Sequence, residues 1–384
     1  MRLSRSLFLS ILETAEPALG SAKNQVQGLA HFWFDGKSVT AFNDILGIRV
    51  DFNGDFTGGV EGERLLGILK NSHHSSVCDL QVVGDGQLKL QVASTEVVFP
   101  LLDIKERLFN QYFPDGEAFK VSAEFKEAIK LALLSVGSKK IAAPSERGVT
   151  LIQEKDSIDA FSTDEVTVSW MNIKDDPDNP KLFNGNVRRA IWSKDFCEYF
   201  VKTMIKGSDV IVTQDAVYCV ARIAMIPGDI RKADERAKVI DGKFAEVMVF
   251  SRLVEDDDPA NFTIAPTKFA PAIKEGFGVP PLLKQALDRA AVMMPSEQPV
   301  DVEVMAPSGE DPAALRLYSS NAIGEFDDQI DLEPETKHKP ISVKVDVGLL
   351  KRSITGGQQK MAVINETLVL SGPPNFYHFI STRN

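Results

Sequence analysis

An amphipathic helix followed by hairpin-linked strands recurs along this chain of 384 residues, and the recurrence leaves few folds open. Six segments carry apolar residues at helical spacing. The first runs from Leu7 to Leu19, with Pro17 placed to end it early. The second spans Glu61 to Ser72, with Leu65, Leu66, Ile68 and Leu69 on or near one face. The third, Ser122 to Val136, opens on a serine cap and carries Phe125, Ile129 and Leu133 as a stripe. The fourth, Ser193 to Ile205, has the same cap and repeats Phe196, Phe200 and Met204. The fifth, Pro281 to Met293, opens on a proline, whose missing N–H costs little there. The sixth runs from Asp346, its cap, to Ile354.

Between these helices lie alternating stretches such as Leu88-Lys89-Leu90-Gln91-Val92, the pattern of a half-buried strand. Asp35-Gly36, Asp85-Gly86 and Asp241-Gly242 sit between such runs. Asp-Gly marks a tight hairpin, because the turn needs positive φ. Each helix-plus-hairpins unit takes roughly 60 residues, and six of them fill the chain. Two units make one domain, which predicts an α+β chain of three domains. Each would pack two helices on antiparallel sheets.

Composition excludes several functions. Lysine and arginine number 43 against 54 acids, a net charge of −11, so any nucleic-acid contact must come from a local basic surface. Cys78, Cys197 and Cys219 are far apart and form no CxxC, which fits a reducing cytosol. No stretch approaches the roughly 18 apolar residues of a membrane span, and Met1 to Leu12 lacks a signal-peptide layout. The glycines of Thr57-Gly58-Gly59-Val60-Glu61-Gly62-Glu63-Arg64 lack the Gly-Lys-Ser/Thr ending of a phosphate loop and read as a turn feeding a helix. His31, His73, His74, His338 and His378 have no metal spacing, and no Ser elbow occurs. The acidic runs from Asp175 to Asp178 and from Glu255 to Asp258 read as solvated loops. The expectation is a protein with no catalytic constellation, no cofactor and no metal.

Particular stretches carry a family resemblance over essentially the whole length. Leu282 to Ala291, reading Leu-Leu-Lys-Gln-Ala-Leu-Asp-Arg-Ala-Ala, resembles the first helix of the third domain of bacterial-type DNA sliding clamps. These are the beta subunits that act as processivity factors of the replicative DNA polymerase. Ala118-Phe119-Lys120-Val121-Ser122, followed by Phe125, Lys126 and Ile129, is similar to the entry of the second domain. Lys238-Val239-Ile240-Asp241-Gly242-Lys243-Phe244 resembles the Leu-Val-Asp-Gly-Arg-Phe pattern that closes it. Asp159 to Asp164 sits where the family carries a strand ending in Ala-Thr-Asp. There are departures. Glu165-Val166-Thr167-Val168 replaces the family's Gly-His-Arg-Leu, the tail ends Ile380-Ser381-Thr382-Arg383-Asn384 rather than Met-Pro-Met-Arg-Leu, and residues are added between Val247 and Phe277. Such drift suits a virus-encoded or otherwise divergent member.

The resemblance implies three tandem clamp domains, 1–117, 118–246 and 247–384, in a head-to-tail dimeric ring. It implies a ring that encircles double-stranded DNA without sequence preference and tethers the polymerase after a clamp loader places it. It also implies a cytoplasmic protein, in the host cytoplasm if virus-encoded, with no membrane partner. Helix bases would face the DNA, because phosphate contacts carry no base information: Lys70, Lys126, Lys194, Lys202, Lys284, Arg289, Lys351 and Arg352, with Lys23, Lys139, Lys140 and Lys206 in loops or just past helix ends. Ordinary solvated helix faces are the other reading of these residues. The partner-peptide pocket would involve Thr163, Asp164, Val166, Phe379, Ile380, Ser381 and Arg383. The dimer contact would involve Leu66, Leu69, Phe99, Leu101, Val292 and Met293. The altered pocket and tail leave a second function open, a clamp-fold scaffold or decoy that binds replication proteins without loading on DNA.

Overall fold

The computed structural model describes residues 1–21, 26, 28–73, 76–84, 86–109, 114, 118, 119–137, 146–183, 188–203, 209–224, 246–255, 273–274, 276–294, 298–308, 312–322, 324–332, 341–354, 358–364, 366–373 and 375–382. Within them one order of elements occurs three times. The first pass is β1 (Arg2–Ser4), α1 (Arg5–Ala15), β2 (His31–Asp35), β3 (Ser38–Phe42), β4 (Leu46–Asp51), β5 (Thr57–Glu61), α2 (Gly62–Lys70), β6 (Val77–Val83), β7 (Gln87–Val92) and β8 (Thr95–Pro100). The second is β9 (Phe119–Lys120), α3 (Ala123–Ala132), β10 (Gly148–Gln153), β11 (Ser157–Thr163), β12 (Thr167–Lys174), β13 (Arg189–Ser193), α4 (Lys194–Thr203), β14 (Val210–Gln214), β15 (Tyr218–Ala224) and β16 (Glu246–Arg252). The third is β17 (Phe277–Gly278), α5 (Leu283–Met293), β18 (Pro299–Met305), β19 (Ala314–Asn321), β20 (Gly324–Asp331), β21 (Ile341–Asp346), α6 (Val347–Ser353), β22 (Lys360–Ile364), β23 (Thr367–Gly372) and β24 (Phe376–Ser381).

The six helices fall where the apolar spacing predicts them, and local chemistry sets their ends. The hydroxyls of Ser4, Ser122 and Ser193 accept from the N–H groups of Leu7 (3.3 Å), Phe125 (3.0 Å) and Phe196 (3.3 Å). Asp346 Oδ1 does the same for Leu349 at 3.0 Å. Each bond satisfies one of the orphan donors of a first turn. Ser4 moves the start of α1 two residues ahead of the expected Leu7, and Pro17 sits in a 3-10 turn (Glu16–Ala18) just after its end. Pro281 precedes α5 rather than opening it, and Leu283 N donates to Pro280 O at 3.0 Å.

The chain divides into two compact units, one of Met1–Lys126 with Asp176–Leu253 and one of Glu127–Asp175 with Val254–Asn384. The first holds a four-stranded sheet, β1-β6-β7-β8, and an eight-stranded sheet, β5-β2-β3-β4-β16-β15-β14-β9. The larger sheet is two four-stranded groups joined edge to edge where β4 meets β16, with Leu46 opposite Ser251 and Val50 opposite Val247. Its helix-covered face buries Phe8, Phe32, Phe34 and Leu12. Trp192 meets Phe125, Phe196 and Phe200 at ring-centroid distances of 5.7, 5.1 and 5.7 Å. A second cluster, Trp33, Phe109, Val220 and Phe250, draws on β2, β15 and β16.

The second unit repeats the device. There β12 meets β24, with Thr167 opposite Ile380 and Trp170 opposite Tyr377, inside the run β10-β11-β12-β24-β23-β22-β17. Its other sheet is β20-β19-β18-β21. Its core gathers Leu283, Ala286, Leu287 and Ala290 of α5 and Leu350 of α6 with Val302, Leu315, Leu370 and Ile380. Among the described residues each four-stranded sheet ends on two strands without an outer strand partner: β1 and β8 in the first unit, β20 and β21 in the second.

Candidate partner surface and DNA-facing helices

The turn from β11 to β12 shapes the surface expected to take a partner peptide. Asp164 is an organiser of this turn. Its Oδ1 accepts from Val166 N at 3.2 Å, Thr167 N at 2.7 Å and Thr167 Oγ1 at 2.8 Å. This Asx turn holds Glu165 at φ 71°, a conformation L-residues rarely adopt, and turns Val166 outward, 44% exposed. Thr163 is buried, and its hydroxyl donates to Thr167 O at 3.0 Å. Ser381, exposed on β24, donates its N–H to Val166 O at 2.9 Å.

Phe379 and Ile380 point to opposite faces of β24, as strand neighbours must. Ile380 is fully buried in the core beneath the helices, so its side chain lines no surface. Phe379 packs on the other face with Ile273, Ala362 and Val369, next to half-buried Val168 and Tyr377. The structure thus brings Val166, Ser381 and the Phe379 cluster to one sheet join, with Thr163 and Asp164 holding the turn. Arg383 lies outside the described residues.

Behind this join is a buried chain of polar side chains that sequence reading passed over. His378 is 1% exposed. Its Nδ1 lies 2.7 Å from Ser169 Oγ and its Nε2 2.6 Å from Ser353 Oγ. Ser169 Oγ in turn lies 2.9 Å from Ser135 Oγ, and Ser353 Oγ donates to Leu349 O at 2.8 Å. Burial pushes the imidazole down to about 4, with Arg352 adding to the effect and Asp164 opposing it. The signal in the sequence was faint: Ser169 and His378 occupy inward positions of their strands, where apolar residues are the rule.

Four of the eight helix cations expected on a DNA path pair with a carboxylate. Lys70 Nζ bonds Glu16 at 2.8 Å, and Arg289 holds Asp328 with two nitrogens at 2.9 and 2.5 Å. Lys351 bonds Asp288 at 2.8 Å and holds that carboxyl below the usual range, and Lys194 lies 3.9 Å from Glu198. Exposed pairs of this kind contribute little, so a phosphate can compete for the cation. Lys202, Lys284 and Arg352 are exposed, and Lys126 is half-buried on α3. Lys23, Lys139, Lys140 and Lys206 lie outside the described residues.

The expected dimer residues divide by burial. Leu66, Leu69 and Phe99 belong to the core of the first unit. Leu101 is half-buried, while Val292 is 85% and Met293 38% exposed at the end of α5. No helix among the described residues is long and apolar enough to cross a membrane.

Three passes of a two-helix, eight-strand pattern, joined edge to edge, are the architecture of a DNA sliding clamp. Solved bacterial beta subunits match it over the full chain. The beta subunit from DNA polymerase of Streptococcus pyogenes matches with TM-score 0.76 and 13% identity, over 100% of this chain and 99% of that one. A sliding clamp (DNA polymerase III subunit beta) from Pseudomonas aeruginosa matches with TM-score 0.76 and 11% identity, again over 100% and 99%. The DNA polymerase sliding clamp from Caulobacter crescentus gives 0.73 and 14% over the same shares. No protein-family model matches the sequence, and no curated protein matches it. The chain has the beta sliding-clamp fold.

Proposed function

We propose that this protein is a non-enzymatic sliding clamp: a head-to-tail dimer that encircles duplex DNA and tethers a replicative polymerase after a loader closes it. Its three clamp domains, 1–117, 118–246 and 247–384, follow the three passes except at the last boundary, which falls inside β16 (Glu246–Arg252) of the second pass. The observation that carries the reading is that β8 and β20, the strands equivalent to those that meet at the two joins, stand unmatched on a full-length clamp fold. Edges of one kind, β4 and β12, are taken within the chain by edges of the other kind, β16 and β24. By the same rule β20 awaits a β8, and a second copy can supply it. A heterologous contact that closes yields a ring rather than a filament. Such a protein works in the cytoplasm, beside the polymerase and the DNA.

Topological retention tests this. The protein loaded on a nicked circle should stay bound in high salt and slide off once the circle is cut. On the cut circle at low salt, Lys202→Glu with Lys284→Glu should shorten retention by about tenfold and flatten its salt dependence, because two phosphate contacts per chain are lost. Retention unchanged by the reversal would remove these lysines from the DNA path. Val166→Asp should abolish stimulation of the polymerase while retention persists, since a carboxylate cannot enter an apolar peptide contact without loss. Full stimulation by that variant would place the peptide elsewhere.

A second reading, a scaffold or decoy that never loads, draws on the pairing of Lys70, Arg289 and Lys351 with carboxylates. Partner binding without retention on any circle would favour it.

A further inference from the structure

The two joins carry different chemistry on the face away from the helices. Asn43 N donates to Leu46 O at 3.1 Å and Asp164 N to Thr167 O at 3.2 Å, which makes Leu46 and Thr167 equivalent starts of β4 and β12. Three residues on, Arg49 opposite Met248 at one join corresponds to Trp170 opposite Tyr377 at the other. At the first join the chain covers its own aromatic floor. Phe109 packs on Phe42 and Phe250 at ring-centroid distances of 5.1 and 6.0 Å. The Arg107 guanidinium lies 4.9 Å over the Phe109 ring, and the Asp35 carboxylate attracts it. Ring, cation and carboxylate all come from the first unit.

The second join has the rings and the carboxylate without the cation. Trp170 and Tyr377, both half-buried, stand with ring centroids 5.6 Å apart, and Tyr377 stacks on Phe379 at 6.4 Å. Among the described residues no guanidinium or ammonium lies over either ring of the pair. Asp159 shares their face of the sheet. Phe161 lies opposite Trp170 and Asp159 opposite Asn172, so Asp159 is a diagonal neighbour of Trp170. Such neighbours are about 7–8 Å apart, within reach of a long side chain laid between them. Among the described residues Asp159 bonds a neutral amide, Asn172 Nδ2, at 2.7 Å. Burial holds the Asp159 carboxyl above its ordinary value, the Asn172 bond works against this, and the charge of nearby Glu154 adds to it.

We propose that Trp170, Tyr377 and Asp159 form a cation site for the partner peptide: a peptide lying over Val166 and Phe379 sets an arginine side chain against the Trp170 ring, with Asp159 as its counter-ion. This rests on the peptide surface at Val166 proposed above and names the chemistry of its occupant. A guanidinium is flat and weakly hydrated, so it stacks on an aromatic face and still reaches a carboxylate. Phe379 faces Val168 and Tyr377 faces Trp170, so the rings lie one row along the strands from the apolar floor. One row is about 7 Å, or two residues of an extended peptide. The arginine therefore falls two residues from the apolar anchor. A nucleic-acid strand would also find rings to stack on, but it would bring phosphates against Asp159 and Glu154. The charges favour a basic peptide.

Fluorine NMR of the full chain tests this, because Trp33 and Trp192 are buried and Trp170 is the half-buried third tryptophan. Fluorotryptophan replaces tryptophan throughout, and the Trp170 resonance is the one missing from Trp170→Phe. The probe is a capped tripeptide, leucine-alanine-arginine, set against the same peptide with citrulline, which keeps the shape of arginine without its charge. The arginine peptide should move the Trp170 resonance and bind at least about tenfold tighter than the citrulline peptide. Asp159→Asn keeps the bond to Asn172 within reach, and it should remove most of that difference while leaving the citrulline peptide unaffected. Equal binding of the two peptides, or a difference undiminished by Asp159→Asn, overturns the cation site and leaves the apolar surface standing. Tighter binding of a leucine-alanine-proline peptide overturns it in favour of a proline platform. A Trp170 resonance unmoved by the arginine peptide at about 10 mM overturns it as well. Polymerase stimulation by Val166→Asp decides separately whether the peptide surface itself is there.

Discussion

Acidification from pH 7 to pH 4 is expected to cost the second unit about 3 kcal/mol through His378 alone. The ring is neutral and buried in the fold, where it titrates near 4, against about 6.5 in an unfolded chain. Its contribution is fully present above pH 6.5. It is lost progressively as pH falls from 6.5 to 4, because over that window the unfolded chain takes up a proton that the folded one refuses. The gap of roughly 2.5 at about 1.4 kcal/mol per pH unit gives about 3.5 kcal/mol, of which about 0.4 is not lost by pH 4 because the folded ring is itself half protonated there. His378→Gln keeps polar contacts to Ser169 and Ser353 within reach and cannot titrate. Its stability, measured by urea unfolding, should therefore lack this part of the acid loss, whatever its value at pH 7. NMR should place the His378 transition near 4. A transition near 6.5, or an equal acid loss in the variant, would exclude this account.

The join of β4 and β16 should show the strongest coupling between two single substitutions. A Cβ added at Gly47 would stand 2.0 Å from Cζ of Phe250, whose ring tip occupies the space over the glycine. Gly47→Ala is expected to cost about 2 kcal/mol, since the ring must leave the place it fills. Phe250→Ala should cost about 3 kcal/mol by opening a hole between Trp33, Phe42 and Val220. The double variant should cost about 1–2 kcal/mol less than the two together, because the alanine methyl then enters space the ring has vacated. Strict additivity in denaturant unfolding would mean that the ring does not occupy that space.

These two sites mark different limits of sequence reading. Gly47 stands in Leu46-Gly47-Ile48-Arg49-Val50, where a glycine inside a strand signals close approach without naming what approaches. Phe250, two hundred residues later, is the answer. His378 read as a lone histidine, since Ser169 and Ser353 lie 209 and 25 residues away from it. The turn expected beside the peptide surface was legible as a turn. Thr163-Asp164 has the composition of a turn, and Val166 emerges exposed from it. Ile380, taken with Phe379 as pocket, lies on the strand's other face, and strand parity there is settled by pairing with Thr167. Leu66, Leu69 and Phe99 were expected at a dimer contact. Within a single chain they are buried in the core of the first unit.

The helix cations show the same division. Lys70 and Glu16 are 54 residues apart, and Arg289 and Asp328 are 39 apart. Charge counting along helices cannot foresee such pairs, because the partners sit on different elements. The local information in the sequence was enough for the six helices, their serine and aspartate caps, the hairpin at Asp35-Gly36 and the repetition of the whole pattern. Those features depend on residues within a turn or two of one another, where backbone geometry dictates the spacing. Which edge meets which, which acid takes each base and which face of β24 looks inward were decided only by the tertiary structure. Such contacts join residues far apart in the chain, and their energies appear only when packing brings the two sides together.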